Sequence, residues 1–559
     1  MRRFVIALAF TIAPLALSQT APQGPKIRVA TRLVQFGVIV RDKNGPVTNL
    51  KQNDFTVLDR GKPQKISMFS VESAPAPNQS VKPQMKAVAN PAQLPPNTFS
   101  DLPQYAAPPR SVTIVLLDNL NTLYGSAPAS RYEKTPLWVE DLALQNAKNH
   151  LIEFIKQLQP EDRVAIYGLA HFLHVVCDFT SDRNQLLAIL KEYDTKSVTN
   201  RQVVEPGKTV LEFPGHDSRI EDISRPGSGF ESSASLRLAA GANDDRAAET
   251  MAALQEIAAH VANIPGRKNL VWLTANLPFS GAEMARVLTP ANIAVYPVDA
   301  RGLLGEAPTI SAGAWGTADY DDVSGASGHM DNMPAQSSQP IGVATMQKVA
   351  DETGGQAFVN TNDLTGAIRK AVEDSAVTYT LGFYIDSDAL DGKFHEIKVE
   401  VARKGLAVRY PKGYFALPDT PPTANDDQRA VVTAIDSPIE SSMILLNADI
   451  NKASHPNSFN LVCSIDIHGI RFAQSGGQRK GAVTVYVIGQ DAAGKVLHHW
   501  SKTYDLQFAD AQYESLLTTG IPFRQGIELS PGVTTLRVLV QDPSTSKLGS
   551  LIIPLSQVN

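Results

Sequence analysis

Apolar positions follow different rhythms along this chain, and the changes of rhythm mark its units. Residues 26–75 alternate apolar and polar positions in "LVQFGVIVRD" and "FTVLDRG", with turn sequences at "KNGP" and "DRGK". A period of two predicts half-buried strands, so this is a small β segment. From 110 to 376 the pattern changes. "SVTIVLLD", "RVAIYGLA", "NLVWLTANLP" and "IAVYPVDA" are apolar on both faces. Between such runs lie stretches of helical spacing, such as Leu144, Ala147, Leu151, Ile155 and Leu158 in "LWVEDLALQNAKNHLIEFIKQL". "AAETMAALQEIAAHVANI", "GAEMARVLTPA", "IGVATMQKVADETGG" (closed by its glycine pair) and "DLTGAIRKAVEDSA" (with an Asp cap) read the same way. Continuous apolar strands alternating with amphipathic helices predict a mostly parallel sheet covered on both faces. Residues 377–416 return to alternation, with turns at "LDGK" and "RKG". Residues 440–559 read as an all-β sandwich.

Two stretches have no periodicity. Residues 76–109 are rich in proline, and 417–439 are polar and contain proline; both are expected to be linkers. The segments 26–75 and 377–416 each have too few strands for a core of their own. They are therefore expected to share one sandwich, with the α/β unit inserted between them. Residues 1–18, "MRRFVIALAFTIAPLALS", place two arginines before an apolar stretch that ends in small residues. This pattern predicts a signal peptide cleaved near Ser18–Gln19. No later run reaches spanning length, so the mature chain is expected to be exported, periplasmic or extracellular, without a transmembrane span.

Composition narrows the function classes. The chain has 559 residues, 43% hydrophobic and 19% charged, which suits several folded units with sizeable cores. The net charge of -5 and the lack of a basic block argue against a nucleic-acid partner. Only two cysteines occur, Cys177 and Cys463, in different predicted units. They are expected to be buried apolar residues and not a disulfide framework.

The first apolar strand of the α/β unit, "SVTIVLLDNLNT", stops at Asp118. A carboxylate at the end of a buried strand needs a metal, a partner or a cap. The phrases around it, "VLLDNLNT", "LQPEDRVAIYGL", "DFTSDR", "IPGRKNLVWLT", "ANIAVYPVDARGL" and "ETGGQAF", run in an order similar to the von Willebrand factor type A-related domain of exported bacterial proteins, especially those of acidobacteria. The flanks "IVRDKNGPVTNLKQNDFTVLDRGKPQKI" and "DGKFHEIKVEV…KGYF" extend the resemblance over roughly 26–416. It implies a multidomain α/β plus β chain: a doubly wound, von Willebrand A-like sheet flanked by β-sandwich domains, used for binding and not catalysis.

In such domains a divalent cation sits at the carboxyl end of the first strand, on an Asp-x-Ser-x-Ser motif joined by a Thr and an Asp from two further loops. Asp118 and Thr122 match the first and last motif positions, Asn121 lies between them, and Leu120 replaces the first Ser. Thr250 is the candidate second-loop Thr, and Asn276 stands where the third-loop Asp is expected. Asp118, Asn121, Thr122, Thr250 and Asn276 thus form a degenerate metal site. Mg²⁺ favours hard oxygen ligands, and an amide in place of a carboxylate weakens the pull on a dication. No cofactor is expected, and any Mg²⁺ binding should be weak. Asp299 and Asp217 are the residues that could restore the missing charge.

Other constellations are weaker. His171, His174 and Cys177 are spaced so that a strand sends them to opposite faces, which does not build a metal site. "SGASGHMDNM" lies in a glycine- and serine-rich loop that offers no rigid base for a nucleophile. "DYDDVSG" lacks the spacing of a calcium loop, and "GRK" at 266–268 suits a helix end better than a phosphate. The function expected is an exported, non-catalytic binding or adhesion-type protein whose partner is a protein or a cell-envelope ligand. The alternatives are a structural envelope spacer and, more remotely, a hydrolase, for which no paired carboxylates, triad or cofactor loop is found.

Overall fold

The computed structural model describes residues 31–73, 94–101, 111–124, 137–170, 172–193, 231–278, 281–302, 342–374, 376–386, 389–418 and 421–559. The expected signal peptide with its cleavage point at Ser18–Gln19, His171, Asp217 and both loop motifs between 319 and 333 lie outside these described residues.

The chain opens with β1 (Thr31–Asp42), β2 (Gly45–Pro46), β3 (Phe55–Asp59), β4 (Lys62–Gln64) and β5 (Met68–Ser73), followed by the short β6 (Thr98–Ser100). The middle runs β7 (Ser111–Asp118), α1 (Asn119–Tyr124), α2 (Leu137–Ile155), β8 (Asp162–Leu169), β9 (Leu173–Thr180), α3 (Arg183–Glu192), α4 (Glu231–His260), β10 (Lys268–Thr274), α5 (Gly281–Leu288), β11 (Ile293–Asp299), α6 (Val343–Thr353) and α7 (Leu364–Asp374). Then come β12 (Val377–Asp386), β13 (Phe394–Val401), β14 (Ala407–Arg409), β15 (Gly413–Phe415) and α8 (Ala424–Asp436). The last part holds β16 (Leu446–Lys452), β17 (Ser458–Ile465), β18 (Ala473–Ser475), β19 (Gln478–Gln490), β20 (Val496–Ala509), α9 (Asp510–Thr519), β21 (Ile521–Glu528), β22 (Thr535–Asp542) and β23 (Lys547–Pro554). The whole is a mixed α/β chain rich in antiparallel sheets.

Strands from before and after the α/β unit pair with each other. One sheet runs β14-β1-β12-β5 with β2 beside β1, and a second runs β15-β13-β3-β4. Strand β1 is antiparallel to β12, with Thr31 opposite Asp386 and Val38 opposite Tyr379. Strand β13 is antiparallel to β3, with Val399 opposite Val57. The alternation puts Phe36, Val38, Val57, Leu381, Phe383 and Val399 into one core. The Tyr379 hydroxyl, carried into that core, donates to Val47 O (2.7 Å) and accepts from Leu50 N (3.2 Å).

The central sheet runs β11-β10-β7-β8-β9, with β7 in the middle. Strands β11, β10, β7 and β8 are mutually parallel, and β9 returns antiparallel beside β8. One face of β7, through Ile114 and Leu116, packs on Leu254 and Ile257 of α4, Met284 of α5 and Met346 of α6. The other, through Val115 and Leu117, packs on Leu151 of α2, Leu186 of α3 and Ile368 of α7. This two-sided burial explains why these strands read as unbroken apolar runs. The glycine pair after α6 is needed for two reasons. Gly354 has φ +77° and donates to Ala350 O as the helix cap. A Cβ on Gly355 would lie 1.8 Å from Val295 O of β11. Below the sheet, Asp374 at the end of α7 is fully buried between Arg41 of β1 (2.7 Å) and Arg409 of β14. This pairing ties the α/β unit to the first sandwich.

The last unit consists of the sheets β21-β17-β16-β6 and β18-β19-β22-β23, with β20 beside β19. Leu446, Ile450, Leu461, Val485, Val538 and Leu551 share its core.

Both expected linkers contain structure. Within 76–109, Thr98–Ser100 forms β6 and covers the edge of β16, with Ser100 opposite Asn447 and Thr98 opposite Asp449. Asp101 then accepts from Leu446 N (2.7 Å). A three-residue strand shows no periodicity, so its sequence gives no sign of it. Within 417–439, α8 is closed at its start by a capping box between Thr423 and Asp426, and it buries Val431, Ala434 and Ile435. The all-β reading of 440–559 also needs amending: α9 interrupts it with a helix that buries none of its residues. Among the described residues, no helix is long and apolar enough to cross a membrane.

Candidate functional site at the end of the central strand

Strand β7 ends at Asp118, opposite Leu169 of β8, and α1 begins at the next residue. The chain therefore turns over the carboxyl end of the sheet without an open loop. Leu120 enters the core with Trp272 and Leu254. That pulls α1 down onto the sheet and closes the space above the carboxylate. Asp118, Asn121 and Thr122 are all buried. A surface crevice in front of Asp118, as the topology alone suggests, is thus filled by the protein's own groups.

Three protein N–H groups reach the carboxylate. Asn121 N donates to Oδ1 at 2.9 Å. Asn121 Nδ2 and Trp272 Nε1 donate to Oδ2 at 2.9 and 2.8 Å. Burial pushes the Asp118 carboxyl above the usual carboxylate range, and these bonds, with the Thr274 hydroxyl, offset only part of that rise. Asn121 Nδ2 also donates to Thr250 Oγ1 of α4 (3.0 Å), while the Thr250 hydroxyl donates to Arg246 O (2.7 Å). Thr122 Oγ1 accepts from Ala275 N (3.1 Å) in the loop after β10.

The structure therefore joins Asp118, Asn121 and Thr250 by hydrogen bonds, with Thr122 buried on the same turn and held by Ala275 N. Asn276 stands apart from them. Its backbone forms a turn with the Thr274 hydroxyl, and its side-chain oxygen lies near Gly342 at the start of α6. Asp299, at the end of β11, is held by Arg301 through Nε and a terminal nitrogen, both at 2.8 Å. Its charge is already paired. Trp272 is the member that motif reading missed. A Trp inside an apolar strand still needs a partner for its indole N–H, and this was the available signal.

These donors suit a hydrogen-bonded pin better than a dication. The cluster has one carboxylate, and two N–H groups occupy its Oδ2. The Thr250 oxygen is committed to an amide. Asn121 Oδ1, buried without a hydrogen-bond partner, and Thr122 Oγ1 are the neutral oxygens beside the carboxylate. Neutral oxygens beside a single carboxylate already engaged by N–H donors give Mg²⁺ little charge to hold it. Among the described residues, no group of three His, Cys, Asp or Glu side chains is arranged to hold a metal ion.

The other candidates are dispersed. His174 Nε2 meets the Tyr193 hydroxyl at 3.1 Å. Cys177 packs in the core beside Leu186 and Leu190 of α3, where burial pushes its thiol up to about 11. Cys463 is likewise free and buried. In "GRK", Lys268 donates to Ile264 O (2.9 Å) past the end of α4, and Arg267 donates to Gly354 O (2.5 Å). Burial lowers Lys268 to about 8.

No family model matches the chain, and no curated protein does. Solved structures with partial similarity include an aerotolerance-related membrane protein from Bacteroides fragilis carrying multiple mutations to serine, at 16% identity over 47% of this chain and 98% of that one, with a TM-score of 0.25. The conserved hypothetical protein BatB from Bacteroides thetaiotaomicron is similar at 17% identity over 48% and 98%, TM-score 0.25. An uncharacterized membrane-spanning protein from Vibrio fischeri is similar at 16% identity over 47% and 97%, TM-score 0.13. Likenesses of this size assign no function to the chain.

Proposed function

We propose that this is an exported, non-catalytic binding protein of the cell envelope, built around a doubly wound, von Willebrand A-like unit that works without a tightly held metal. The observation that carries the reading is the state of Asp118. At the position where such domains place a cation, the carboxylate is buried and takes its hydrogen bonds from Asn121 and Trp272. The turn from β7 into α1 is thereby held by protein groups, and the partner, a protein or an envelope ligand, would be recognised by the surface around α1. A structural spacer is the second reading. It is favoured by the way both β units are anchored to the α/β unit, through Asp374 on one side and Ser442 on the other.

Calorimetric titration of metal-free mature protein with Mg²⁺ and Mn²⁺ tests the metal part. No stoichiometric heat in the micromolar range is expected, and a micromolar site abolished by Asp118→Ala would overturn it. Capture of envelope proteins or polymers on the immobilised mature chain, with and without chelator, tests the binding part. Chelator-insensitive capture of a defined ligand is expected. Failure to capture any ligand in either buffer would favour the spacer.

A further inference from the structure

The end of α4 meets the chain between α8 and β16 through a dense set of polar contacts. Ser442 closes the helix: its N–H donates to Ala259 O (3.0 Å) and its hydroxyl to His260 O (2.7 Å). Asn263 Nδ2 donates back to Ser442 O. The last carbonyls of a helix lack partners within the helix, so the C-terminal unit supplies them here. Two further contacts depend on protons.

His260, the last residue of α4, faces acceptors at both ring nitrogens. Nδ1 meets Glu440 O at 2.7 Å, and Nε2 meets Asp178 Oδ1 of β9 at 3.4 Å. A neutral imidazole carries one N–H and satisfies one of these, whereas the imidazolium satisfies both. The ring is stacked on Phe179, which keeps it in place. Glu256 Oε2 lies 2.6 Å from Ser437 Oγ, and that hydroxyl also lies 3.0 Å from Ile439 O. A hydroxyl has one proton for two acceptors. If Glu256 is protonated, it donates to Ser437 Oγ, and the Ser437 proton is then free for Ile439 O. The chain 437–442 thus matches α4 best when both His260 and Glu256 carry a proton.

We propose that this contact is a proton-operated joint, which holds the C-terminal unit on the α/β unit below neutral pH and loosens above it. The charges around it act in the same sense. Glu256 faces Asp436 of α8 and Arg537 of β22; Glu440 faces His260, Asp178, Arg537 and Asp101. With both glutamates ionised, Glu256, Glu440, Asp436 and Asp178, with Asp101 beyond Glu440, stand against only Arg537 and His260. Protonating both removes two of these negative charges and most of the excess. Burial pushes Glu256 and Glu440 up to about 7 each. Burial alone would lower His260, but the bond to Asp178, the Asp178 charge and the contacts with Glu440 together outweigh it and hold His260 above its ordinary value.

The signs agree. A folded-state value raised above the unfolded one contributes stability that is present below the unfolded value and lost as pH rises through the folded one. Glu256 and Glu440 lose their contribution as pH rises from the ordinary glutamate range through about 7, and His260 loses its own as pH rises above the ordinary histidine range. Burial would raise Asp178, but His260, with the Phe179 N–H and the Tyr167 hydroxyl, holds it below its ordinary value, so its contribution is lost only in stronger acid. Beside the joint lies a cavity of about 340 Å³, lined by Glu256, Ala259, Asp426, Arg429, Ser441 and Ser550 among others. It gives water a route to the contact once the joint loosens. Asp426 and Arg429 pair with each other at 3.7 Å near its rim.

Hydrogen exchange of the full-length mature chain, read by mass spectrometry from pH 5.5 to 8.5 and corrected for intrinsic rates, tests the joint. Protection of 437–443 and of the last turn of α4, relative to β7 and β10, should fall by about tenfold or more, the scale of a one-unit shift at a single group. The variant carrying Glu256→Gln and Glu440→Gln should flatten that fall. Glu256→Gln alone, the milder change, should reduce it if the double variant folds poorly. Protection that stays constant relative to β7 and β10 in the wild type would overturn the proposal, as would a fall that Glu256→Gln leaves untouched.

Discussion

Asp118 illustrates how much one buried carboxylate can organise. Its two oxygens fix the first turn of α1 through Asn121 and fix the indole of Trp272. Removing it would leave these donors without an acceptor in a buried site, which costs about 1–3 kcal/mol. Asp118→Ala is therefore expected to lower the denaturation midpoint of the α/β unit and to speed exchange of the Asn121 amide. A stability unchanged from wild type would show that water replaces the carboxylate without loss. The same residue has a pH signature. Its folded value is raised, so its contribution is present below the unfolded carboxylate value and is lost as pH rises through the folded value. Asp118→Asn cannot ionise and is expected to remove this decline, seen as a flatter stability profile above the ordinary carboxylate range. Motif reading found Asp118, Asn121, Thr122 and Thr250, because polar residues at a strand end and on the facing helix stand out against an apolar background. It could not place Asn276, whose position depends on a turn made by the Thr274 hydroxyl.

Among the elements, visibility from sequence follows burial. Strands β7, β10 and β11 are buried on both faces, so their apolar runs are long enough to read, and the helices around them show one apolar face. Helix α8 was hidden because Pro421 and Pro422 stand before it and most of its residues are polar. Its signal was local: the Thr423–Asp426 box and Val431, Ala434 and Ile435 at helical spacing. Thr423→Ala removes the acceptor for Asp426 N (3.2 Å) and should cost about 1 kcal/mol. Chemical denaturation followed in the C-terminal unit measures this, and restoration by Thr423→Ser would separate the cap from any general loss. Strand β6 gave no such signal, since it exists only through its partner. Three residues form a strand there because β16 offers an edge and Asp101 fixes the register at Leu446.

At the scale of the molecule, the α/β unit is held between segments that join across it. Strands β1 and β5 pair with β12, and β6 pairs with β16, so both β units combine chain from before and after the central sheet. The amino-terminal side of the C-terminal unit is closed further by Asn97, whose Oδ1 accepts from Asn559 N at 2.8 Å. A sheet edge left uncovered exposes unpaired N–H and C=O groups and invites pairing with another chain. A fragment spanning 423–559 keeps β16 and its core but lacks β6. It is expected to melt lower than the same unit within the full chain and to self-associate through β16. Adding the peptide LPPNTFSD, residues 94–101, should restore the missing strand by edge addition. The expected result is a raised melting temperature and a return to the monomer by sedimentation. Phe99→Asp in the peptide should abolish the effect, because Phe99 packs on the core of this unit. A fragment that is monomeric and indifferent to the peptide would show that β6 is an ornament on the sheet and not part of its closure.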